Sequence, residues 1–161
     1  MTAIAMDTSV GSRAGKYLTF VLDTEQYGVP IIKVREILVV LPITPMPQTP
    51  HFIKGVINLR GKVIPVVDTR LKFGMMEKEY TSETCIIVVE VKEKGIGLVV
   101  DTVREVRDVA EDQIEDPPNY GGDSNAFIRG LGKVNEKVII LLDIDQVLGD
   151  LDSQSMGGFS F

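Results

Sequence analysis

The sequence has few of the residues on which catalytic and metal-binding sites depend. Its 161 residues include one cysteine, one histidine and no tryptophan. An internal disulfide, an all-Cys/His zinc site and a multi-histidine metal centre are therefore excluded. We expect His51 to be a surface or packing residue, because neither an acidic residue nor a nucleophile flanks it. We expect Cys85, which opens the run CIIVVEV, to be a small buried hydrophobe.

Long apolar runs and positive charge are also scarce. The longest apolar stretch, Ile37 to Ile43, contains Pro42 and is far shorter than the ~20 residues of a membrane helix. The first 16 residues lack the apolar segment of a signal peptide. With a net charge of −6 and no basic run, the chain has no general attraction for nucleic acid or anionic membranes. We therefore expect a cytoplasmic protein that neither inserts into membranes nor binds nucleic acid.

Cofactor motifs are missing as well. The sequence contains neither GxxxxGK[ST] nor GxGxxG, and the acidic residues around Asp143 do not have the spacing of a calcium loop. We expect no cofactor, no metal and no enzymatic activity. Asp68 and Asp143 each follow an apolar strand and precede a short helical segment, which favours a role as helix N-caps. We expect Asp101 to stabilise a turn and residues 111–116 to form a solvated loop.

The residues that are abundant favour β-structure. Val and Ile total 37, against 12 Leu and 5 Ala, and side chains branched at Cβ suit strands better than helices. Brief helical turns are expected after Asp68, after Asp143 and at His51–Lys54. Short apolar runs between turn signals predict ten strands: Tyr17–Asp23, Tyr27–Ile32, Val34–Val40, Val56–Leu59, Lys62–Val67, Thr84–Val91, Gly95–Val100, Val103–Val109, Leu131–Val134 and Lys137–Leu142. The pattern is typical of an all-β barrel or sandwich.

An internal repeat divides the chain into two similar halves. Residues 52–74 align without a gap on residues 127–149 with eight identities in 23 positions. Residues 28–37 align on residues 97–106 with four identities in ten. We predict a folded domain over 16–149, with halves at about 16–74 and 84–149 joined by a polar connector. Residues 1–15 and 150–161 are predicted to be flexible tails.

The two halves differ most at one hairpin tip. Asn58-Leu59-Arg60-Gly61 in the first half is replaced by Lys-Val-Asn-Glu at residues 133–136 in the second. Gly61 can supply the positive φ of a tight turn, which would direct Arg60 outward and leave Leu59 beside it. An exposed arginine next to an apolar residue is typical of a protein contact. An ordinary hairpin loop would explain the same residues.

Four segments resemble the CheW family of bacterial chemotaxis coupling proteins: YGVPIIKVREI (27–37), TPHFIKGVINLRGKVIPVVDTRLKFG (49–74), GLVVDTVREV (97–106) and FIRGLG (127–132). The resemblance covers the whole predicted domain. It implies two intertwined five-stranded SH3-like barrels without catalysis. It also implies an adaptor in signal transduction that bridges the cytoplasmic tips of chemoreceptors and the histidine kinase CheA, in arrays at the membrane. The regulatory domain of that kinase has the same fold.

Site residues follow from the same resemblance. It implies receptor binding by Asn58, Leu59, Arg60, Gly61 and Val34, and kinase binding by Lys33, Arg35 and Glu36. Val34 and Glu36 recur in the second half as Val103 and Glu105, which favours a structural role for both. Arg60 therefore carries most of the functional weight.

The expected receptor contact is a helix lying in a groove between the barrels, with Leu59 as an apolar anchor, and the kinase should use another surface. The alternative is a small β-barrel module that binds a ligand or nucleic acid. That alternative requires exposed aromatic residues with basic neighbours, whereas Tyr17, Phe20 and Phe52 lie in or beside apolar strand patterns.

Overall fold

The computed structural model describes residues 13–118 and 126–151, which form two β-sheets. The β-strands are β1 (Gly15–Leu22), β2 (Glu25–Pro30), β3 (Val34–Val39), β4 (Ile53–Leu59), β5 (Lys62–Asp68), β6 (Cys85–Val91), β7 (Lys94–Val100), β8 (Thr102–Val109), β9 (Ile114–Glu115), β10 (Ile128–Val134) and β11 (Lys137–Leu142). The α-helices are α1 (Thr69–Lys72) and α2 (Ile144–Leu148). Single 3-10 turns cover Ile31–Lys33, Glu111–Gln113 and Gly149–Leu151.

All ten predicted strands are present, and two local predictions need correction. The turn expected at His51–Lys54 covers only His51 and Phe52, where the Ile53 N–H donates to the Pro50 carbonyl at 3.0 Å. β4 begins at Ile53, which is buried and pairs with Val67 of β5. The acidic segment 111–116 is not simply a loop either. It contains a 3-10 turn and the short strand β9, because Ile114 is buried and pairs with Gly132 of β10. Burial of this isoleucine favours an ordered conformation of the otherwise charged segment.

The predicted tails lie mostly outside the described residues. At the first described position, Arg13 forms ion pairs with Glu111 and Asp116. Arg13 also lowers the pKa of Glu111, chiefly because its backbone N–H donates to that carboxylate. At the other end, Leu151 is buried in the main core.

Each sheet combines strands from both sequence halves. The strand order is β8-β1-β2-β11-β10-β9 in one sheet and β3-β6-β7-β5-β4 in the other. The pairs β2–β11 and β5–β7 are parallel, and the remaining pairs are antiparallel. The all-β prediction is confirmed, and the six-stranded sheet exceeds the expected five only through the two-residue strand β9.

The repeat seen in the sequence reappears in the geometry. The Asp68 and Asp143 carboxylates each accept a hydrogen bond, at 3.2 Å, from the backbone N–H three residues further on, at the start of α1 and α2 respectively. Their own N–H groups donate to the carbonyls of Phe52 and Phe127, at 2.8 and 2.9 Å. The predicted N-caps are confirmed, and each cap also fixes the chain that enters the preceding hairpin.

The main hydrophobic core spans both sheets. It contains Leu18 and Phe20 of the six-stranded sheet and Ile87 and Leu98 of the five-stranded sheet, all almost fully buried. Each such side chain contributes about 1.5–3 kcal/mol through its removal from water. Smaller apolar clusters lie within each sheet. Because the largest core is shared, neither sheet can bury its apolar face alone.

A buried arginine ties the two sheets together. Arg70 of α1 donates from Nη2 to Asp23 in the β1–β2 turn at 2.9 Å and from Nε to Asp101 at 3.1 Å. Its Nη1 donates to the carbonyl of Met76 in the connector at 3.1 Å. Asp101 also accepts the backbone N–H of Asp23 at 2.8 Å. The turn-stabilising role predicted for Asp101 is therefore confirmed, and the turn that it stabilises belongs to the other half of the chain.

The connector between the halves is anchored by polar contacts. Tyr80 donates its hydroxyl to Asp68 at 3.1 Å, and burial together with the nearby carboxylate raises the pKa of Tyr80. Lys54 forms an ion pair with Glu77, and this hydrogen bond lowers the pKa of the Glu77 carboxylate. The connector is thus bound to both β4 and the helix cap that follows β5.

Candidate protein-binding surface

The β4–β5 hairpin has the tip that its sequence predicts. Arg60 and Gly61 have φ angles of 52° and 86°, as a tight hairpin turn requires. The side-chain oxygen of Asn58 accepts the backbone N–H of Gly61 at 2.9 Å and closes the turn. The Arg60 side chain is 69% exposed, so the predicted outward direction is confirmed.

Leu59 does not accompany Arg60 into solvent. It is partly buried and packs against the apolar cluster of the five-stranded sheet, because it lies on the inward-facing side of β4. The expected exposed Arg-Leu pair is therefore wrong. Leu59 anchors the hairpin to its own sheet and leaves the guanidinium of Arg60 as the exposed group at the tip.

Arg60 contacts a residue that the resemblance implies in kinase binding. Its Nη2 forms an ion pair with Glu36 of β3. The structure thus joins a residue implied in receptor binding to one implied in kinase binding. An exposed ion pair of this kind adds little to stability, so these side chains remain available for other partners.

The other predicted residues around β3 make different contacts. Lys33 bonds Asp145 of α2 at 3.0 Å, and Val34 packs against the main core. Arg35 donates from Nε to Glu90 at 3.2 Å. Val34 is thus largely structural, whereas Lys33 and Arg35 lie at the surface on either side of it.

Sequence reasoning missed the exposed apolar residues near this hairpin. Ile37 and Val39 of β3, Val63 of β5 and Ile32 in the turn before β3 are all exposed to solvent. Exposed and partly buried residues alternate along β3, so Ile37 and Val39 share the face of the strand that is turned away from the core, and β3 is also an edge strand. Exposed apolar side chains beside charged ones are typical of a protein-binding surface.

The repeat could have revealed two of these residues. Ile37 aligns with Val106 of β8, and the two are 44% and 48% exposed. Val63 aligns with Val138 of β11, and these two residues are 48% and 49% exposed. Both sheets therefore present an apolar pair at equivalent positions. The equivalence ends at Val39, whose counterpart in β8 is Asp108. The surface formed by the exposed residues of β3 is therefore more apolar than the equivalent surface of β8.

A separate cleft of about 370 Å³ lies between the end of α1 and the six-stranded sheet. Its walls include the aromatic rings of Tyr27, Phe73 and Phe127, and the ammonium of Lys72 lies 5.4 Å from the ring centre of Phe127. None of the residues that the resemblance assigns to a partner lines this cleft. The expected receptor groove with Leu59 as its anchor is therefore not formed by the cleft.

The single histidine and the single cysteine of the chain each contact a neighbouring residue. His51 is exposed, as expected, and its ring contacts Phe52 edge to face. Cys85 is only partly buried, contrary to expectation, and its thiol, at the start of β6, donates to the Glu83 carbonyl at 3.3 Å. Within the described residues, no three His, Cys, Asp or Glu side chains come together as a metal site would need. Neither helix in this part of the chain is long and apolar enough to cross a membrane.

Comparisons with known proteins agree with this architecture. Residues 16–152 match the family model described as a CheW-like domain. The chemotaxis protein CheW of Klebsiella aerogenes is 37% identical over 134 residues, which are 83% of this chain and 81% of that protein. CheW of Rhizobium meliloti is 36% identical over 148 residues, covering 91% and 94%. The crystal structure of the scaffolding protein TtCheW from Thermoanaerobacter tengcongensis has a TM-score of 0.78 at 36% identity, covering 92% of this chain and 97% of that one.

The fold and these relatives place the chain in a class of all-β proteins that are built from SH3-like units and are similar to the scaffold proteins of chemotaxis. Within that class, the chain belongs to the CheW-like family. The resemblance seen in the sequence is therefore confirmed, and the relatives support an adaptor role in chemotaxis.

Proposed function

We propose that this protein is a noncatalytic adaptor that couples methyl-accepting chemoreceptors to the histidine kinase CheA, in cytoplasmic arrays at the membrane. The observation that carries the proposal is the exposed apolar surface at β3 and the adjoining hairpin. A protein whose task is to hold two others needs such a surface and no reactive centre.

The kinase contact is assigned to Lys33, Arg35 and Glu36, extended by Ile37 and Val39 along the same strand. An edge strand with alternating exposed side chains suits a partner that is itself a β-barrel, because strands can approach edge to edge. The kinase regulatory domain has that fold in the family resemblance. Val39 supports this assignment, because its repeat counterpart is the charged Asp108.

The receptor contact is assigned to the hairpin tip around Arg60, with Asn58 and Gly61 holding the turn. An exposed guanidinium suits a helical receptor tip, because its planar fork can bind a carboxylate and fix its orientation. Leu59 and Val34 contribute to this contact indirectly. Leu59 packs the hairpin against its own sheet, and Val34 packs β3 against the main core. The Arg60–Glu36 ion pair lies where the two contact surfaces meet, which provides a route for coupling one partner to the other.

The test compares binding to an immobilised kinase regulatory domain with binding to a receptor cytoplasmic fragment. Ile37→Ser should weaken kinase binding about tenfold and spare the receptor, whereas Arg60→Ala should weaken receptor binding about tenfold and spare the kinase. Val106→Ser is the matched control, since it makes a similar change at the equivalent exposed position. Folding of each variant is checked by circular dichroism.

Two outcomes would contradict the proposal. If folded wild-type protein binds neither partner, the adaptor function is wrong. If Ile37→Ser and Val106→Ser weaken kinase binding equally, the β3 surface has no special role in that contact.

A further inference from the structure

A cavity of about 290 Å³ lies on the five-stranded sheet, beside the proposed kinase contact. Three cations line it: Arg35 of β3, Lys62 of β5 and Lys94 of β7. Glu93 is the one acidic residue among its lining residues, and Val63 adds exposed apolar surface. Even with the nearby Glu90 included, cations outnumber anions here, although the whole chain has a net charge of −6.

The guanidinium of Arg35 is held in a fixed position at this cavity. Its Nε donates to Glu90 at 3.2 Å and its Nη2 to the carbonyl of Glu93 at 3.3 Å. Its Nη1 lies over Gly95, 2.9 Å from the place where a Cβ would stand. The missing side chain at Gly95 therefore makes the space in which the guanidinium lies. A guanidinium fixed in this way can bind an anion without a further loss of side-chain freedom.

The repeat shows that this arrangement belongs to one sheet only. At the equivalent positions in the six-stranded sheet, Gly95 is replaced by Gln26 and Lys94 by Glu25. Lys62, by contrast, has an equivalent lysine, Lys137, which is likewise exposed at the start of its strand. The second copy thus has a side chain where Gly95 has none, and an acidic residue in place of the cation Lys94. A feature present in one copy only is not needed to form the shared fold.

We propose that this cavity binds an acidic segment of a partner protein, in which a carboxylate side chain lies next to an apolar one. The carboxylate would contact Arg35 and Lys62, and the apolar neighbour would cover Val63. The overall negative charge of the chain disfavours a long polyanion such as nucleic acid, because repulsion grows with each phosphate. A short segment with one or two carboxylates meets only the local cations, and the exposed valine favours a peptide over a free ion.

The inference deepens the proposed function, because Arg35 belongs to the surface assigned to the kinase, but its test needs no kinase. The full chain is titrated into a fluorescein-labelled peptide of alternating Glu and Leu, and binding is followed by anisotropy at low salt. Lys62→Glu should weaken binding about tenfold. Lys137→Glu is the matched control with the same change in charge at the equivalent position, and it should change the affinity less than about twofold. Gly95→Ala should also weaken binding, because its Cβ would displace the guanidinium.

Several outcomes would overturn the inference: no peptide binding, equal losses in Lys62→Glu and Lys137→Glu, or equal binding of a Glu-Ser peptide. Full displacement of the peptide by millimolar inorganic phosphate would show a site for free anions and would also overturn it. Failure of the peptide alongside intact kinase binding would reject only this inference. Peptide binding by a protein that binds no kinase would reject the proposed function and leave the acidic-segment site standing.

Discussion

Replacing Arg70, which contacts Asp23, Asp101 and the Met76 carbonyl, tests how the two sheets are held together. Replacing Arg70 with Met keeps an apolar stem of similar length and removes the guanidinium. Three hydrogen bonds disappear, at 2.9, 3.1 and 3.1 Å, two of them to carboxylates. The Asp101 side chain, 17% exposed, is then left without its cation, whereas Asp23 is 67% exposed and can be hydrated.

The expected loss follows from this difference in exposure. Removing one member of a buried ion pair costs about 3–5 kcal/mol, and the pair with Asp23 adds little because it is open to solvent. We therefore expect Arg70→Met to lower the free energy of unfolding by about 3 kcal/mol. That is a large share of the ~5–15 kcal/mol that stabilises a typical domain.

Urea unfolding followed by circular dichroism measures the loss. Asp23→Asn is the control and should cost less than about 1 kcal/mol. The double variant Arg70→Met/Asp101→Asn should recover at least about 1 kcal/mol relative to Arg70→Met, because it removes the uncompensated carboxylate. If Arg70→Met proves too unstable to purify, Arg70→Lys, which keeps the charge but not the fork, should give a smaller loss. A cost below about 1 kcal/mol for Arg70→Met, or strict additivity in the double variant, would refute the reasoning.

Two further predictions concern the connector and the helix caps. In the folded chain the raised pKa of Tyr80 keeps its hydroxyl protonated, while the unfolded chain releases that proton near pH ~10, so stability should fall as the pH rises above about 10. Tyr80→Phe should make this fall shallower in urea midpoints measured from about pH 8 to about pH 11, and an unchanged slope would contradict the assignment. Asp68→Ala should cost about 2 kcal/mol and Asp143→Ala about 1 kcal/mol, because Asp68 is buried and also accepts the Tyr80 hydroxyl. Equal losses in thermal or urea unfolding would show that the contact to Tyr80 contributes nothing.

Local signals in the sequence predicted most of the fold. The ten strands follow from short β-branched runs between turns, and the caps at Asp68 and Asp143 follow from their place after a strand. The errors occurred where a single tertiary contact outweighs local composition. Ile114 pairs an acidic segment with β10, and the pairing of Ile53 with Val67 starts β4 within the segment predicted as a turn.

The surface was harder to predict than the fold. The positive φ at Gly61 and the exposure of Arg60 follow from hairpin chemistry, but the ion pair with Glu36 depends on how β3 meets the hairpin. The sequence predicts a strand at Ile37, and this residue is exposed because it lies on the outward-facing side of that strand. In a continuous apolar run such as residues 37–41, alternation does not distinguish the buried face of a strand from the exposed one.

The exchange of strands between the halves has a consequence for folding on the ribosome. β2 must pair with β11, joining Gln26 to Ile139, so the six-stranded sheet cannot be completed until Leu142, the end of β11, has been synthesised. Closing such long loops before any contact is gained slows folding, and strand pairing between distant segments places a domain among those that fold in about milliseconds to seconds. During synthesis β1 and β2 would have unpaired edges and solvent-exposed apolar faces until their partner strands β8 and β11 are made. A nascent chain of this kind is expected to depend on chaperones until β11 emerges from the ribosome.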